Sequence, residues 1–316
     1  MNSSKLLKEQ LTILVNTCDA YEDLWVPFFT LLKKYWDPDG IRILLNTESK
    51  DFSFNGLKIE CVHSPGEKRY GQRMLNALKQ VKTEYVLSLL DDFFIRSQVD
   101  EGKIERVVRW MEEDPDIVCF NCDPNRVYVD WEVDKYPGFK RIPPGCSYLL
   151  SMQAAVWRTE KLAGYWLPEL SPWEWEECTN AITTKCPEKK FYCLTDIKHT
   201  FLDYGYKNTG MGVFCRKWVI EDVGPLFEKE NISVDFSKRG IYDRTQKRNV
   251  ITFPTDWKGK YDRVVRCLGK REIPHYLWYC VYRWGLGLFN FTVEPDYFDY
   301  LRFKAQERFL KKYNKL

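Results

Sequence analysis

The sequence lacks the short motifs that mark several common enzyme classes. It contains no Gly-x-Gly-x-x-Gly dinucleotide fingerprint, no Walker phosphate loop and no Ser-His-Asp arrangement, and only three of its 316 residues are histidines. One Cys-x-x-Cys pair, Cys119 and Cys122, has no second pair to complete a zinc finger. These absences argue against P-loop NTPases, nicotinamide-dependent enzymes, serine hydrolases and zinc-finger modules.

The sequence also lacks an apolar run long enough to cross a membrane. The longest run near the C-terminus, residues 276–291, is broken by Arg283 and two glycines. Near the N-terminus, Leu11–Val15 is too short for the apolar core of a signal peptide. We therefore expect a cytoplasmic protein whose eleven cysteines are reduced and mostly buried.

The net charge is unevenly distributed: the main part of the chain is slightly acidic and the C-terminal part is basic. The net charge is +3, but residues from Lys258 onward hold thirteen Lys and Arg against six Asp and Glu. This predicts two parts: a main domain over residues 1–257 and a basic, aromatic, helical extension over residues 258–316. The extension suggests attraction to an anionic membrane surface, with a solvated helix face as the alternative. Nucleic-acid binding is not expected, because no recognised module is visible.

Strand-like and helix-like segments alternate through the first half of the chain, which predicts an α/β domain with a mainly parallel sheet. The predicted strands are residues 11–16, 41–46, 58–62, 85–90 and 117–121, and the predicted helices are 21–35, 70–81 and 101–113. After an irregular excursion over 123–146, the pattern predicts a strand over 148–152 and a helix from Thr159. Ser171, Pro172 and Glu174 predict a helix start closed by a capping box.

Two adjacent carboxylates end the strand predicted over Tyr85–Leu90. Asp91 and Asp92 follow five apolar residues and one serine directly, and Phe93 and Phe94 come next. Because ligands bind at the carboxyl ends of parallel strands, the two acids are expected on a ligand-binding rim. Adjacent acids repel each other unless a cation lies between them, and a hard divalent ion often serves. A simple turn after the strand is the alternative interpretation.

The order of these parts resembles a GT-A-type glycosyltransferase, more narrowly the bacterial enzymes that build capsular or lipopolysaccharide chains from nucleotide sugars. The resemblance covers residues 10–220. It depends on the polar end of the first strand (Asn16-Thr17-Cys18-Asp19), a helix with Tyr70 and Arg73, the Asp-Asp strand end, and the Pro-Trp-Glu-Trp-Glu helix.

The resemblance implies a GT-A-like, Rossmann-like fold and a Mg²⁺ or Mn²⁺ ion that bridges the donor diphosphate. Asp92 is the first choice as metal ligand, with Asp91 nearer the ribose or bound through water. The pair is Asp-Asp rather than the usual Asp-x-Asp, which leaves metal dependence open. Thr17 and Asp19 would contact the nucleotide, and Arg73 would pair with the diphosphate or with Asp92. A turn or cap for Asp19 and a surface charge for Arg73 are the alternatives.

The same resemblance implies where the sugars bind. Gln153 begins a stretch of small residues that would line the donor-sugar pocket. Glu176 would take the proton from the acceptor hydroxyl, with Glu177 as second choice. Glu176 follows two tryptophans, Trp173 and Trp175, that would form an acceptor platform.

The function implied is a hexosyltransferase-like enzyme. It would move a sugar from a nucleoside-diphosphate sugar to a hydroxyl of a lipid-linked or oligosaccharide acceptor, with inversion, at the inner face of the membrane. Two alternatives remain. One is a non-catalytic carbohydrate-binding or scaffold protein on a GT-A framework. The other is a sugar nucleotidyltransferase, disfavoured because the segment after the first strand contains neither Gly nor Lys.

Overall fold

The computed structural model describes residues 4–122, 135–146, 148–205, 211–243 and 273–287. Eight strands form the central sheet: β1 Leu11–Asn16, β2 Arg42–Asn46, β3 Ile59–Val62, β4 Tyr85–Leu90, β5 Ile117–Asn121, β6 Phe139–Arg141, β7 Ala155–Arg158 and β8 Lys190–Leu194. A separate hairpin consists of β9 Val213–Phe214 and β10 Lys217–Trp218. The helices are α1 Lys5–Gln10, α2 Glu22–Tyr35, α3 Tyr70–Gln80, α4 Glu101–Glu113, α5 Thr159–Tyr165, α6 Pro172–Cys178, α7 Ile220–Lys229 and α8 Ile273–Gly287.

The sheet has the spatial order β3-β2-β1-β4-β7-β5-β8-β6. Strands β3, β2, β1 and β4 pair in parallel, and so do β5 and β8. Only β7 and β6 run against their neighbours within this sheet. The predicted α/β class, with a mainly parallel sheet and flanking helices, is confirmed.

Helices cover both faces of the sheet, which is why its central strands are apolar throughout. All six residues of β1 are buried. Because side chains alternate along a strand, Ile13 and Val15 join one core while Leu14 joins the other. The first core is filled by residues of α2, α4 and α7, and the second by residues of α3, α5 and α6.

Most predicted elements of the first half are confirmed to within one or two residues, including β1, β4, α4 and β5. The strand predicted over residues 148–152 is wrong. Those residues form turns and bends, and the strand begins at Ala155. The apolar residues Leu149 and Leu150 are buried, but they join the second core without joining the ladder. Helix α7 was not predicted.

The C-terminal extension is only partly described. Helix α8 lies within it and is helical as predicted, but the boundary predicted at residue 257 lies outside the described residues and stays a prediction. Among the helices that the structure describes, none is long and apolar enough to cross a membrane.

A glycine joins α3 to the loop that leads into α6. The N–H of Gly71 donates to the carbonyl of Leu170 at 3.0 Å. A Cβ atom added at Gly71 would lie 2.1 Å from the carbonyl oxygen of Leu167, which is backbone and cannot turn aside. The two segments can therefore meet only with glycine at this position.

We expect Gly71→Ala to lower the free energy of unfolding by about 1–3 kcal/mol, because the added methyl group forces the two backbones apart. Gly102→Ala is the matched control. Its Cβ would meet only a side-chain oxygen of Asp100 at 3.3 Å, and alanine is the better helix former by about 0.5–1 kcal/mol. Denaturant unfolding of both variants measures the difference. Equal stability of the two variants would contradict the tight contact.

Candidate functional site

A topological switch point lies between β1 and β4. From β1 the chain crosses to β2 on one side, whereas β4 pairs with β1 on the other side. In open α/β sheets such a reversal opens a crevice beyond the carboxyl ends of the strands, where ligands bind. Thr17 follows β1 and Asp91 follows β4, so both predicted site residues flank this crevice.

A chain of hydrogen bonds closes the crevice at its base. The Thr17 hydroxyl donates to the Asp91 carboxylate, and the indole Nε1 of Trp25 donates to Thr17 Oγ1 at 2.8 Å. Asp91 is only 4 % exposed. Asp91 follows β4, Thr17 follows β1 and Trp25 lies on α2. The hydrogen bonds of Thr17 and Trp25 hold the Asp91 carboxylate in one orientation.

Asp92 lies beside Asp91 but is less deeply buried. Burial raises the pKa of Asp92 to about 7. Burial also raises the pKa of Asp91 well above its usual range, and the neighbouring charge of Asp92 adds to the effect. The pair therefore lacks enough positive charge nearby to keep both groups ionised at neutral pH. Two carboxylates are the all-oxygen donors that Mg²⁺ and Mn²⁺ prefer, so the residues present fit such an ion.

Arg239, which was not among the predicted site residues, is a cation whose charge acts on both acids. Its positive charge opposes the rise in the pKa of Asp91 and of Asp92. The guanidinium forms two hydrogen bonds with Asp23, one of them at 2.9 Å, and lies 4.5 Å above the ring of Tyr21. No local pattern marks Arg239, because it reaches the rim only through the folding of the segment after α7.

Arg73 lies on the same rim and is buried, with 7 % exposure. It forms an ion pair with Glu48 and lies 5.5 Å above the ring of Tyr70. Burial raises the pKa of the Cys18 thiol, the charges of Asp91 and Glu48 add to this, and Arg73 opposes it. The alternative interpretation of Arg73 as a surface charge is therefore wrong, because the side chain is buried. Its partner in this structure is Glu48 rather than Asp92, and pairing with a diphosphate stays a prediction.

Asp19 joins the loops after β1 and β2. Its carboxylate accepts hydrogen bonds from the Ser49 hydroxyl at 2.6 Å and from the N–H groups of Glu48, Ser49 and Lys50 at 3.0–3.3 Å. Burial acts to raise its pKa, but these hydrogen bonds outweigh it and lower the pKa to about 2. Asp19 is therefore ionised and holds the β2 loop against the rim.

The antiparallel strand β7 begins at the rim where β4 ends. Ala155 pairs with Ser88, so Gln153, two residues earlier, lies at the same edge as the acids. Glu176 is held to this segment: its Oε1 accepts a hydrogen bond from the N–H of Met152 at 2.7 Å and from the Ser151 hydroxyl at 3.1 Å. The fold thus brings Glu176 and Gln153 together. The side chain of Glu177 lies outside the described residues.

The start of α6 has the predicted capping box, formed by Ser171 and Glu174 with Pro172 in the first turn. The predicted platform of two tryptophans is wrong in one member. Trp175 is 1 % exposed and stacks on Trp166 with ring centroids 4.5 Å apart, so it belongs to the core. Trp173 is 54 % exposed and remains available to a ligand.

Comparisons with known proteins find likeness in fold only. No protein-family model matches the chain, and no curated protein sequence matches it. Among solved structures, S. aureus TarS 1–349 in complex with UDP has 16 % identity and a TM-score of 0.37, over 59 % of this chain and 58 % of that one. The match to a longer structure of S. aureus TarS covers 37 % of that chain, at 15 % identity and a TM-score of 0.35 over 59 % of this one.

Two other solved structures show a similar degree of likeness. The mannosyltransferase PcManGT from Pyrobaculum calidifontis, in complex with GDP-Man and Mn²⁺, has 13 % identity and a TM-score of 0.36, over 60 % of this chain and 55 % of that one. A CMP-2-keto-3-deoxy-manno-octonic acid synthetase complexed with CTP has 12 % identity and a TM-score of 0.36, over 59 % and 88 %. Likeness at this level does not assign an activity to the chain.

Asp92 and Asp19 are expected to have opposite effects on the free energy of unfolding, and measurements at several pH values test this. Because folded Asp92 binds its proton more tightly than the unfolded chain does, the native protein loses stability as the pH rises from about 4 to about 7. We expect Asp92→Asn to reduce this loss and to raise the free energy of unfolding at pH 7 by roughly 1–3 kcal/mol.

Asp19→Asn is the comparison variant, because the change in the free energy of unfolding at neutral pH should have the opposite sign. The contribution of Asp19 is present at neutral pH and disappears as the pH falls from about 4 toward about 2. Asp19→Asn should therefore lower stability at neutral pH. Unfolding at several pH values, with a chelator present, measures both effects. A neutral-pH stability of Asp92→Asn below that of the native protein would refute the account of the buried pair.

Proposed function

We propose that this protein is a glycosyltransferase that uses a nucleoside-diphosphate sugar as donor. The observation that carries the proposal is the pair of buried carboxyl groups, Asp91 and Asp92, at the switch point of a mainly parallel sheet. A switch point supplies the crevice for a nucleotide. The two acids, with too little positive charge around them, supply a place for the cation that accompanies a diphosphate.

Asp92, with Asp91 beside it, would hold Mg²⁺ or Mn²⁺ at this place. When bound, the ion would neutralise the negative charge of the departing nucleoside diphosphate. The chain's own contribution is to present the two carboxylates in a fixed orientation. Thr17 and Trp25 hold Asp91, and the N–H of Gly212 donates to the backbone carbonyl of Asp92 at 2.6 Å.

The donor would lie along the rim beyond β1 and β4. Thr17 and Asp19 border this rim where the chain leaves β1, and Asp19 shapes it by fixing the β2 loop. Arg73, which is buried and paired with Glu48, would exchange this carboxylate for the diphosphate when the donor binds. Gln153, at the start of β7, would face the sugar of the donor.

Glu176 is the proposed base. The acceptor hydroxyl oxygen would form a bond to the anomeric carbon of the donor while the bond from that carbon to the diphosphate breaks. The hydroxyl proton passes to the Glu176 carboxylate, and the nucleoside diphosphate leaves with the bonding electrons. This single displacement inverts the anomeric centre. The hydrogen bonds from Met152 and Ser151 support this role, because they orient one oxygen of Glu176 toward the sugar-binding segment. Glu177 is the second choice for the base.

Trp173 would contribute to acceptor binding, because an exposed indole beside a carboxylate is suited to stacking on a sugar ring. An oligosaccharide or a lipid-linked sugar of a surface polysaccharide is the proposed acceptor. Helix α8 supports a location at the inner membrane face. Its side chains Leu277, Trp278 and Val281 are 42 %, 66 % and 66 % exposed, and the part of the sequence around it is basic.

The transferase is tested with two variants that separate donor binding from chemistry. We expect UDP or GDP with Mn²⁺ to raise the melting temperature of the native protein, by an amount that corresponds to about 2.7 kcal/mol at a hundredfold excess over the dissociation constant. Asp92→Asn should lose the Mn²⁺-dependent part of this shift. Glu176→Gln should keep the shift but lose at least about 100-fold in the rate of sugar transfer.

Glu112→Gln, at an exposed position of α4, is the matched control and should resemble the native protein in both measurements. The alternatives give different results. No shift with any nucleotide would favour the scaffold protein. Formation of pyrophosphate from a nucleoside triphosphate and a sugar 1-phosphate would identify a nucleotidyltransferase instead.

Membrane association is tested with vesicles that contain anionic lipid. Trp278→Ser should weaken co-flotation of the protein, because the indole at this position would enter the interface. Trp173→Ser, which removes another exposed tryptophan from the main domain, should leave flotation unchanged. If the native protein does not float, or if deletion of residues 270–316 has no effect on flotation, the membrane location is wrong.

A further inference from the structure

A cluster of three different metal-ligating side chains lies at the edge of the sheet, apart from the acids of the crevice. Asp51 lies in the loop between β2 and β3, Cys61 lies on β3, and His63 follows that strand. One ligand atom of each, a carboxylate oxygen, the thiol sulfur and a ring nitrogen, all lie within 4.8 Å of one another. Strand β3 is one of the two edge strands of the described sheet, and the proposed function does not use the cluster.

The backbone brings these residues together for two reasons. Cys61 and His63 are two positions apart at the end of an extended strand, so their side chains leave the backbone on the same side. Asp51 is held opposite by its neighbour Phe52, whose N–H donates to the Cys61 sulfur at 3.2 Å. The Phe52 ring packs against Trp25 and Phe29, with ring centroids 5.5 and 5.3 Å away, which anchors the loop to the core.

One of the three separations already matches a tetrahedral zinc site, and the other two are within 4.8 Å. Bond lengths of 2.0–2.3 Å from Zn²⁺ to O, N and S place the ligand atoms about 3.3–3.6 Å from one another. Nε2 of His63 is already 3.2 Å from Oδ1 of Asp51. Closing the other separations from at most 4.8 Å needs a shift of about one ångström, which rotation of the exposed Asp51 and His63 side chains supplies.

We propose that Asp51, Cys61 and His63 form a zinc site that fixes the β2–β3 loop. A thiolate, an imidazole and a carboxylate together favour Zn²⁺ over Mg²⁺ or Ca²⁺, which prefer oxygen alone. The N–H of Phe52 that points to the sulfur would stabilise the thiolate, as contacts around zinc ligands commonly do. A water molecule would complete the tetrahedron, since His63 and Asp51 are exposed.

The loop that the ion would fix also forms a wall of the crevice. Asp19 accepts hydrogen bonds from three successive N–H groups of this loop, residues 48–50, and Glu48 forms an ion pair with Arg73. Asp51 follows these residues directly. Zinc at the outer end of the loop would therefore hold the Glu48–Arg73 pair in place at its inner end.

Titration of the chelator-treated full-length protein with Zn²⁺, by calorimetry, tests the site. Co²⁺ provides the spectroscopic test, because a bound thiolate gives a charge-transfer band in the near ultraviolet. We expect a site that contains a thiolate, a band that Cys61→Ser abolishes, and a loss of zinc affinity at that site of at least about tenfold in Cys61→Ser and in His63→Gln. Cys215→Ser removes an exposed thiol outside the cluster and should bind both metals like the native protein.

Asp51→Asn and His63→Gln change exposed positions, so they carry the test even if Cys61→Ser folds poorly. No nucleotide or sugar is needed, and the result is therefore independent of the proposed transferase. Failure of the native protein to bind Zn²⁺, or unchanged binding by His63→Gln and Asp51→Asn, would overturn the proposal.

Discussion

Two neighbouring carboxyl groups, Asp91 and Asp92, follow β4, and the surrounding positive charge and hydrogen-bond donors only partly stabilise their ionised forms. Burial raises the pKa of both Asp91 and Asp92, and the charge of Asp92 raises the pKa of Asp91 further. The Thr17 hydroxyl and Arg239 act in the other direction. The folded chain therefore contains an acidic pair whose ionisation depends on what else enters the crevice. This property links the architecture to the chemistry of a diphosphate and its cation.

The segment that supplies Arg239 depends on the same strand end. Phe94, two residues after Asp92, packs against Trp218 and Phe227 with ring centroids 6.1 and 5.0 Å away. Gly212, whose N–H donates to the Asp92 carbonyl, has no room for a side chain, because a Cβ atom there would lie 2.2 Å from the Phe94 ring. The aromatic residues after the acids thus attach the later part of the chain to the rim. That attachment places a guanidinium beside two carboxylates that are distant in sequence.

Local patterns predicted the elements of the first half well, for a physical reason. Buried parallel strands are continuous apolar runs, and the helices between them are amphipathic, so both periods are visible without knowledge of contacts. The capping box of α6 was equally visible, because it needs only residues three apart. Predictions from these patterns were wrong where a residue is buried without taking part in strand hydrogen bonds or in a ligand-binding surface. Leu149 and Leu150 have the apolar character of a strand but are buried without joining the ladder. Trp175 is of a residue type that often stacks on sugars, but here it stacks on Trp166 in the core.

The sequence by itself determined the α/β class, the position of the strand that ends in Asp91 and Asp92, and the start of α6, since each follows from spacing within a few residues. Only the tertiary structure decided how the side chains are used. The Asp19 carboxylate binds the loop after β2, and the buried Arg73 pairs with Glu48. Glu176 binds the segment before β7, and Arg239 lies at the rim. Each of these contacts joins residues far apart in the chain. Their energies depend on distance and on exclusion of water, which neither composition nor periodicity records.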